Sequence, residues 1–251
     1  MESIEFDLVI VSHNCKFYLK RLLQSLGIMR PSKVVVVDNA STDGTKEYLQ
    51  TQLKQMNLDI ICNDENPGYG RALNEGIKLC KNEVVGLLNE DIEFIEDIDP
   101  MLKYFVENKD VAVIGPKQIN DANKIVHGGF YSPSGDMNAL QLKLRGWMQK
   151  DEGQYEVIED VPTVSGSCYF VKRKQYQELG GFLEVPLYFE ETFYAYLVRH
   201  KGFRVVYYGK TKVKHSWMRA TEKMPEARQK WFRESQKVFL QRCKEEGIEI
   251  K

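Results

Sequence analysis

Short apolar runs alternate with amphipathic stretches along the first half of the chain. Continuous runs rich in Val, Ile and Leu predict buried strands at residues 7–11, 33–37, 58–62 and 84–88. Between the first two runs, apolar residues recur at helical spacing, at Leu19, Leu22, Leu23 and Leu26. The resulting order β-α-β-α-β-α-β predicts an α/β protein with a Rossmann-like, mostly parallel central sheet flanked by helices.

The second half of the chain has a less regular pattern. It predicts helices at 100–107, 190–200 and 224–246, and strands at 111–114, 161–171, 203–208 and 211–215. Residues 117–160 read as irregular, which is typical of an insertion that faces a substrate. The last helix is predicted to bury an apolar stripe made of Trp231, Phe232, Val238, Phe239 and Leu240.

Composition limits the class of protein. The 251 residues are 43% hydrophobic and 28% charged, as in an ordinary soluble protein. No apolar stretch approaches the ~20 residues that a membrane span needs, and residues 1–5 lack a signal-peptide pattern. Five scattered cysteines without metal-ligand spacing favour reduced thiols and a cytoplasmic location.

Charge is unevenly distributed. Residues 199–251 carry 15 Lys or Arg against 6 Asp or Glu, a balance of +9, so residues 1–198 carry −10. A basic group near the end of the sequence could close over a diphosphate or contact an anionic membrane at the inner face of the cell membrane. It consists of Arg219, Lys223, Arg228, Lys230 and Arg233, with Trp217 and Trp231 nearby. Helix-mediated homo-oligomerisation is an equal alternative. The charges are too dispersed for a nucleic-acid arm, so no nucleic-acid partner is expected.

Polar residues follow three of the predicted strands. Residues 12–14, 38–39 and 90–91 stand where those strands end. Ligands of open α/β sheets bind outside the carboxyl ends of the strands, and Mg²⁺ prefers carboxylate and phosphate oxygens. The polar residues at these strand ends therefore predict a nucleotide and metal site at one edge of the sheet.

A Pro-Gly turn precedes the third predicted helix. We expect Gly68 and Gly70 to let the backbone approach a ligand closely. Arg71 adds donors beside a helix N-terminus, where phosphates bind. The motif is neither a Walker loop nor G-x-G-x-x-G, which argues against P-loop NTPases and dinucleotide folds.

Taken together, these stretches resemble glycosyltransferase family 2, inverting nucleotide-sugar transferases with the GT-A fold. The resemblance rests on seven motifs in order: residues 9–14, 36–44, 66–76, 88–91, 180–182, 189–191 and 212–215. It covers about residues 6–217 and is nearest to bacterial rhamnosyltransferase-like members. It implies a GT-A domain over 1–217, with a nucleotide-sugar half (1–115) and a smaller acceptor half (116–217), followed by a basic helical extension (218–251).

The resemblance also implies a donor site. Ser12 and Asn14 would line the base pocket, and Asp38 would contact the pyrimidine or ribose. The resemblance also implies that four residues lie along the ribose and diphosphate, namely Gly70, Arg71, Asn74 and Asn89. An exposed loop acid is the simpler alternative for Asp38.

The metal and the base follow from two acidic motifs. Asp91 matches the last acid of the family's Asp-X-Asp motif and would bind Mg²⁺ or Mn²⁺, while Asn89 replaces the first acid and Glu90 points away. His215 would complete the metal shell, or be a structural histidine. Glu191 stands where the family has its catalytic Asp, one methylene longer, and Glu190 beside it would raise its pKa.

The implied reaction is inverting transfer of a sugar from a UDP- or dTDP-linked donor to a saccharide or lipid-linked hydroxyl, in polysaccharide synthesis. Two alternatives remain open. The first is a non-catalytic nucleotide-sugar-binding protein, because Phe193 replaces the family's second acid after Glu191. The second is a nucleotidyltransferase, which is disfavoured because no Gly-rich basic loop follows the first strand.

Overall fold

The computed structural model describes residues 4–216 and 225–251. Its strands are β1 (Phe6–Ser12), β2 (Lys33–Asn39), β3 (Leu58–Asn63), β4 (Val84–Asn89), β5 (Ile92–Phe94), β6 (Val111–Ile119), β7 (Ile125–His127), β8 (Phe130–Tyr131), β9 (Lys143–Leu144), β10 (Ile158–Asp160), β11 (Cys168–Lys172) and β12 (Arg204–His215). Its helices are α1 (Lys16–Ser25), α2 (Thr45–Gln52), α3 (Tyr69–Ile77), α4 (Asp99–Glu107), α5 (Arg173–Leu179), α6 (Glu190–His200) and α7 (Pro225–Glu245), with a 3₁₀ turn at Leu26–Ile28.

One ten-stranded sheet runs through the described part of the molecule. Its main order is β10-β12-β6-β11-β4-β1-β2-β3, with β5 added to β12 and β7 added to β6. The block β4-β1-β2-β3 is parallel, whereas β11 lies antiparallel between β4 and β6. The predicted α/β class is confirmed. The parallel arrangement belongs to the first half, and the second half of the sheet is mixed.

Helices cover both faces of this sheet. Because side chains alternate along a strand, Val9, Val35 and Leu87 pack towards α3, α6 and α7, while Leu8, Val36 and Leu88 pack towards α1, α2 and α4. Burial on both faces explains why the strands are continuous apolar runs rather than alternating ones.

The strands of the second half differ from the predicted ones. β6 continues through Pro116 to Ile119 instead of ending at Gly115, and β12 is one strand where two were predicted. Both differences have one cause: the register of β12 against β6 shifts between Tyr208 and Lys212, beside Pro116. A proline without an N–H is tolerated at such an irregularity. Of the strand predicted at 161–171, only the part from Cys168 onwards forms, and 117–160 contains four short strands.

Helix α7 buries a different stripe from the predicted one. Ser235, Phe239 and Cys243, spaced four residues apart, are buried, whereas Val238 and Leu240 are about 40% exposed (42% and 39%). The prediction was wrong for these two and for Phe232, which is 43% exposed, because all three fall on the solvent side of the helical repeat. Trp217, Arg219 and Lys223 lie outside the described residues. No helix within the described ranges combines the length and apolar character that crossing a bilayer requires.

Candidate functional site

The carboxyl ends of β1, β2 and β4 meet at one edge of the sheet. Ser12 pairs in register with Asp38, and Val11 pairs with Asn89. Ser12 and Asp38 are buried, yet Ser12 Oγ and Asp38 Oδ1 have no hydrogen-bond partner among the described residues. Buried polar atoms are normally hydrogen-bonded, so these two oxygens are available to a ligand. The convergence expected from the sequence is present here.

Asn14 ties the loop that follows β2 to the end of β1. It adopts a left-handed conformation with φ 54°. Its Oδ1 accepts a hydrogen bond from the Thr42 N–H at 2.7 Å, and its own N–H donates to Ser41 Oγ at 2.9 Å. The side-chain oxygen of Asn14 is therefore engaged within the protein, where it shapes the wall of the predicted base pocket.

The glycines before and within α3 face the protein's own backbone. A Cβ on Gly70 would lie 1.9 Å from the Leu183 carbonyl oxygen, and one on Gly68 would lie 2.5 Å from the Val185 carbonyl oxygen. Such distances are shorter than real Cβ contacts, so only glycine fits. These contacts account for both glycines by the close approach of the segment that precedes α6, and the approach of a ligand to them stays a prediction.

Asn74 and Arg71 are also engaged within the chain. Asn74 Oδ1 accepts from the Tyr176 hydroxyl and from the Phe182 N–H, and its Nδ2 donates to the Phe182 carbonyl at 3.0 Å. In this structure Asn74 thus holds the Phe182 segment and does not present its amide to a ribose. Arg71 is about half exposed (53%) and pairs with Glu75 across one helical turn at 3.1 Å.

Glu90 turns towards the end of β1. Its carboxylate is hydrogen-bonded by the His13 N–H and by the Cys15 thiol. Burial, together with the neighbouring charge of Asp91, raises the pKa of Glu90 to about 7. The Glu90 carboxylate is therefore held at the end of β1 by His13 and Cys15.

Asp91 and His215 form the pair suited to a metal ion. Asp91 Oδ1 lies 3.3 Å from His215 Nε2, and both residues are largely buried. His215 Nδ1 lies 2.9 Å from Gln118 Oε1. Because an amide oxygen can only accept, Nδ1 carries a proton, and Nε2 is the ring nitrogen that faces Asp91. A second hydrogen bond of this kind is typical of metal-ligating histidines.

The donor set of this pair fits a divalent cation. One carboxylate oxygen and one imidazole nitrogen converge, and Asp91 Oδ1 accepts no hydrogen bond from the described residues. No group of three or more His, Cys, Asp or Glu with metal-binding geometry occurs within the described ranges. Mg²⁺ sites commonly combine one or two protein ligands with substrate phosphates.

Glu190 and Glu191 begin α6. Glu190 is buried, and its Oε1 has no hydrogen-bond partner in the described part of the chain. Burial raises the pKa of both carboxyl groups, and for Glu190 the charge of Glu191 adds to the effect. The N–H groups of Glu191 and Thr192 donate to the Glu191 carboxylate but only partly offset its burial. Two adjacent carboxyl groups with raised pKa values are typical of acid–base sites.

The loop before β11 joins the two acidic motifs. A Cβ on Gly166 would lie 3.0 Å from Glu191 Cδ, so the carboxyl group rests directly on this glycine. The next residue, Ser167, accepts the Asn89 N–H at 2.9 Å and donates from its Oγ to Gln118 Oε1 at 2.8 Å. Glu191, the end of β4 and the His215 pair therefore share one wall.

Several residues of this site were not found from the sequence. Gln118, Ser167 and Gly166 belong to segments that were read as irregular or interrupted, and Tyr69 was read only as part of a turn. The Tyr69 hydroxyl donates to the Gly166 carbonyl at 2.7 Å. Burial and the nearby charges of Glu190 and Glu191 raise its pKa well above the usual value. The only available signal was the break at 165–167 in an otherwise apolar run.

The sheet and the helices around it have the GT-A fold of glycosyltransferases. A family model described as "Glycosyl transferase family 2" matches residues 7–180. The chain therefore belongs to glycosyltransferase family 2, as the motifs had indicated.

Individual relatives are similar at low identity. The chain is 23% identical over 195 residues to the O-antigen chain rhamnosyltransferase WbaN of Salmonella anatum, covering 74% of this chain but 57% of that protein. It is 26% identical to an N-acetylglucosaminyl-diphospho-decaprenol L-rhamnosyltransferase of Mycobacterium tuberculosis, covering 92% of this chain and 82% of that protein.

A solved structure shares the fold. The crystal structure of GalNAc-T7 with UDP, GalNAc and Mn²⁺ superposes with a TM-score of 0.69 at 19% identity, covering 85% of this chain and 44% of that one. The chain thus spans less than half of GalNAc-T7 and little more than half of WbaN. At this identity the likeness to GalNAc-T7 demonstrates a common fold.

Proposed function

We propose that this protein is an inverting glycosyltransferase. It moves a sugar from a UDP- or dTDP-linked donor to a hydroxyl group of a saccharide or lipid-linked acceptor, in the synthesis of a cell-surface polysaccharide. The observation that carries the proposal is the wall around Gly166 and Ser167, which Glu191 shares with the end of β4 and the Asp91–His215 pair. The two rhamnosyltransferase relatives support a deoxyhexose donor and a lipid-linked acceptor.

The reaction needs one displacement. The Glu191 carboxylate takes the proton of the acceptor hydroxyl while that oxygen attacks the anomeric carbon from the face opposite the phosphate. The bond between the anomeric carbon and the phosphate oxygen breaks, and the nucleoside diphosphate leaves with the bonding electrons. The configuration at carbon is inverted. A raised pKa suits Glu191 to this role because a base works best when its pKa lies near the operating pH.

The donor is assigned to the half formed by residues 1–115. Ser12 and Asp38 supply the two buried oxygens that lack partners among the described residues, and they would bind the base and ribose. Asn89 and the α3 N-terminus, with Gly70 and Arg71, would lie near the diphosphate. Residues 116–217 would hold the acceptor.

A divalent cation, Mg²⁺ or Mn²⁺, would be held by Asp91 and His215 together with the donor phosphates. When bound, it neutralises charge on the departing diphosphate. Gln118 orients His215 for this contact, and Asp91 faces it from the end of β4. The Mn²⁺ in the GalNAc-T7 crystal structure supports a metal of this kind.

Replacement of the base tests the proposal. In Glu191→Gln the shape is kept but no proton can be accepted, so we expect turnover to fall by about 10²–10⁴-fold. Release of nucleoside diphosphate is measured with a panel of UDP-, dTDP- and GDP-sugars, using detergent-solubilised diphosphate-linked saccharide lipids as acceptors. Binding of the nucleotide with Mn²⁺, measured by thermal shift, should remain unchanged.

Glu178→Gln, an exposed position in α5, is the matched control and should keep full turnover. Turnover of Glu191→Gln near the wild-type rate would refute the assignment of the base. Nucleotide binding by the wild type without transfer from any donor would instead indicate the non-catalytic binding protein.

A further inference from the structure

The turn in front of Glu190 is strained. Tyr188 and Phe189 are consecutive non-glycine residues in the left-handed region, with φ 76° and φ 71°. Bulky side chains rarely adopt this conformation, and it persists only where surrounding contacts enforce it. The turn sets the direction of α6, because the first helical hydrogen bond runs from the Phe193 N–H to the Phe189 carbonyl at 2.9 Å. The Tyr188 N–H also donates to the Glu190 carboxylate.

Helix α7 covers this turn with aromatic rings. The ring of Phe232 lies 5.8 Å from that of Tyr188 and 5.1 Å from that of Phe189, between centroids. Phe239 stacks on Phe189 at 4.9 Å. Arg228 Nε donates to the Tyr188 hydroxyl at 2.6 Å. Each of the two strained residues thus has contacts with α7.

The opposite side of the same segment is held by α3 and the loop before it. Gly68 and Gly70 pack against the carbonyl oxygens of Val185 and Leu183, as described above. Residues 183–189 are therefore held between the donor-binding half and α7. Neither side can move without moving the start of α6.

The exposure of Phe232 is informative. This side chain remains 43% exposed, so it contributes less to the core than the fully buried Phe239 does. Its ring contacts with Tyr188 and Phe189 are on the two strained residues. A ring in this position stabilises one backbone conformation more than it stabilises the fold as a whole.

We propose that α7 is a clamp for the catalytic carboxylate, with Phe232, Phe239 and Arg228 acting as positioning residues that hold the Tyr188–Phe189 turn. This inference rests on the proposed function only for the identity of Glu191 as the base. The clamp itself concerns only the backbone conformation of the Tyr188–Phe189 turn. It gives α7 a role that membrane contact or self-association would not require.

The central variant is Phe232→Ala. We expect turnover to fall about 10–100-fold while the KM for the donor changes less than about twofold, since displacement of about 1 Å can cost 10²-fold in rate and the donor residues lie on other elements. Arg228→Gln should act in the same direction, and it keeps the test valid if Phe232→Ala folds poorly. Val238→Ala is the matched control on the exposed side of α7 and should leave turnover unchanged.

Hydrogen exchange gives a readout that needs no activity. In Phe232→Ala, amides of residues 188–193 should exchange at least tenfold faster, whereas amides of β1, β2 and β4 should not change. Binding of UDP with Mn²⁺ should also be retained. If no donor is turned over by the wild type, the proposed function fails but the exchange result still decides the clamp.

A rescue variant separates positioning from simple helix docking. Asparagine adopts the left-handed conformation more readily than tyrosine does, so Tyr188→Asn should restore part of the turnover and protection lost in Phe232→Ala. Unchanged exchange in Phe232→Ala, or a double variant that is no better than Phe232→Ala alone, would overturn the proposal.

Discussion

The carboxyl groups of Glu90, Glu190 and Glu191 have different partners. Glu90 is held by the His13 N–H and the Cys15 thiol. The Glu190 carboxylate accepts a hydrogen bond from the Tyr188 N–H, and the Glu191 carboxyl group packs against Gly166. Of the three, Glu191 has the contact that directs it towards the shared wall of the site.

The pH dependence of transfer should reflect the burial of Glu191. Burial raises its pKa from 4.5 to about 7, and the base must be ionised to accept a proton. We therefore expect kcat/KM to fall about tenfold per pH unit below a midpoint near 7, because this parameter reports the free enzyme.

Initial rates between pH 5 and 9 measure this profile, with circular dichroism confirming that the fold persists at each pH. Glu190, Tyr69 and Tyr169 are the ionisable groups that lie nearest in the described structure. A midpoint below pH 5 would mean that Glu191 is not the titrating base.

Gln118 should tune the metal affinity through His215. In Gln118→Leu, Nδ1 of His215 loses its acceptor, and Ser167 Oγ loses one of its two hydrogen-bond partners and keeps Ser165 Oγ. Loss of such a hydrogen bond typically costs 10–100-fold in metal affinity, which we expect for the Mn²⁺ dependence of UDP binding measured by calorimetry.

Gln118→Glu keeps an acceptor at the same place and should bind Mn²⁺ at least tenfold more tightly than Gln118→Leu does. Gln55→Leu, at an exposed position, controls for the loss of an amide. Equal Mn²⁺ affinities of the wild type and Gln118→Leu would exclude His215 as a ligand.

At the scale of elements, the position of α3 is fixed by the close packing of the 183–186 backbone against the start of the helix. Its glycine positions are matched to the segment 183–186, and Asn74 adds hydrogen bonds to Phe182, 108 residues further along the chain. The helix thereby couples the parallel half of the sheet to the segment that leads into α6.

Gly70→Ala should be strongly destabilising. The added Cβ would meet the Leu183 carbonyl oxygen at 1.9 Å, and overpacking against backbone costs about 1–3 kcal/mol or more. Urea denaturation measures this free energy of unfolding.

Gly27→Ala is the matched control, because no heavy atom lies within 4 Å of its added Cβ. We expect a change in unfolding free energy of less than about 1 kcal/mol there. Similar stability of the two variants would show that Leu183 does not approach Gly70 as described.

At the scale of the whole molecule, charge is separated along the chain. Exposed cations of α7 include Lys230, Arg233, Lys237 and Lys244, and residues 1–198 carry −10. With a lipid-linked acceptor, such a surface would bring the site to an anionic membrane.

We expect the protein to co-sediment with vesicles rich in phosphatidylglycerol and not with phosphatidylcholine alone. Each surface Lys or Arg contributes about 1 kcal/mol near anionic lipid, so Lys237→Glu with Lys244→Glu should lower the affinity at least tenfold. High salt should have the same effect. Co-sedimentation that is indifferent to lipid charge would leave self-association as the role of these charges.

The sequence by itself determined the parallel half of the sheet and the positions of the polar residues that follow its strands. Strand and helix periods are local properties of the chain, and the carboxyl ends of parallel strands necessarily meet at one edge. Ser12, Asp38 and Asp91 could therefore be predicted as neighbours without coordinates.

Only the tertiary structure decided which residues surround those strand ends. Gln118 reaches His215 across 97 positions, Tyr69 reaches Gly166 across 97, and Gly70 and Gly68 pack against Leu183 and Val185. Likewise, the buried face of α7 and its contacts with the Tyr188–Phe189 turn depend on which surfaces pack together. Contacts between residues so far apart leave no period or spacing in the sequence, because the packing of whole elements sets them.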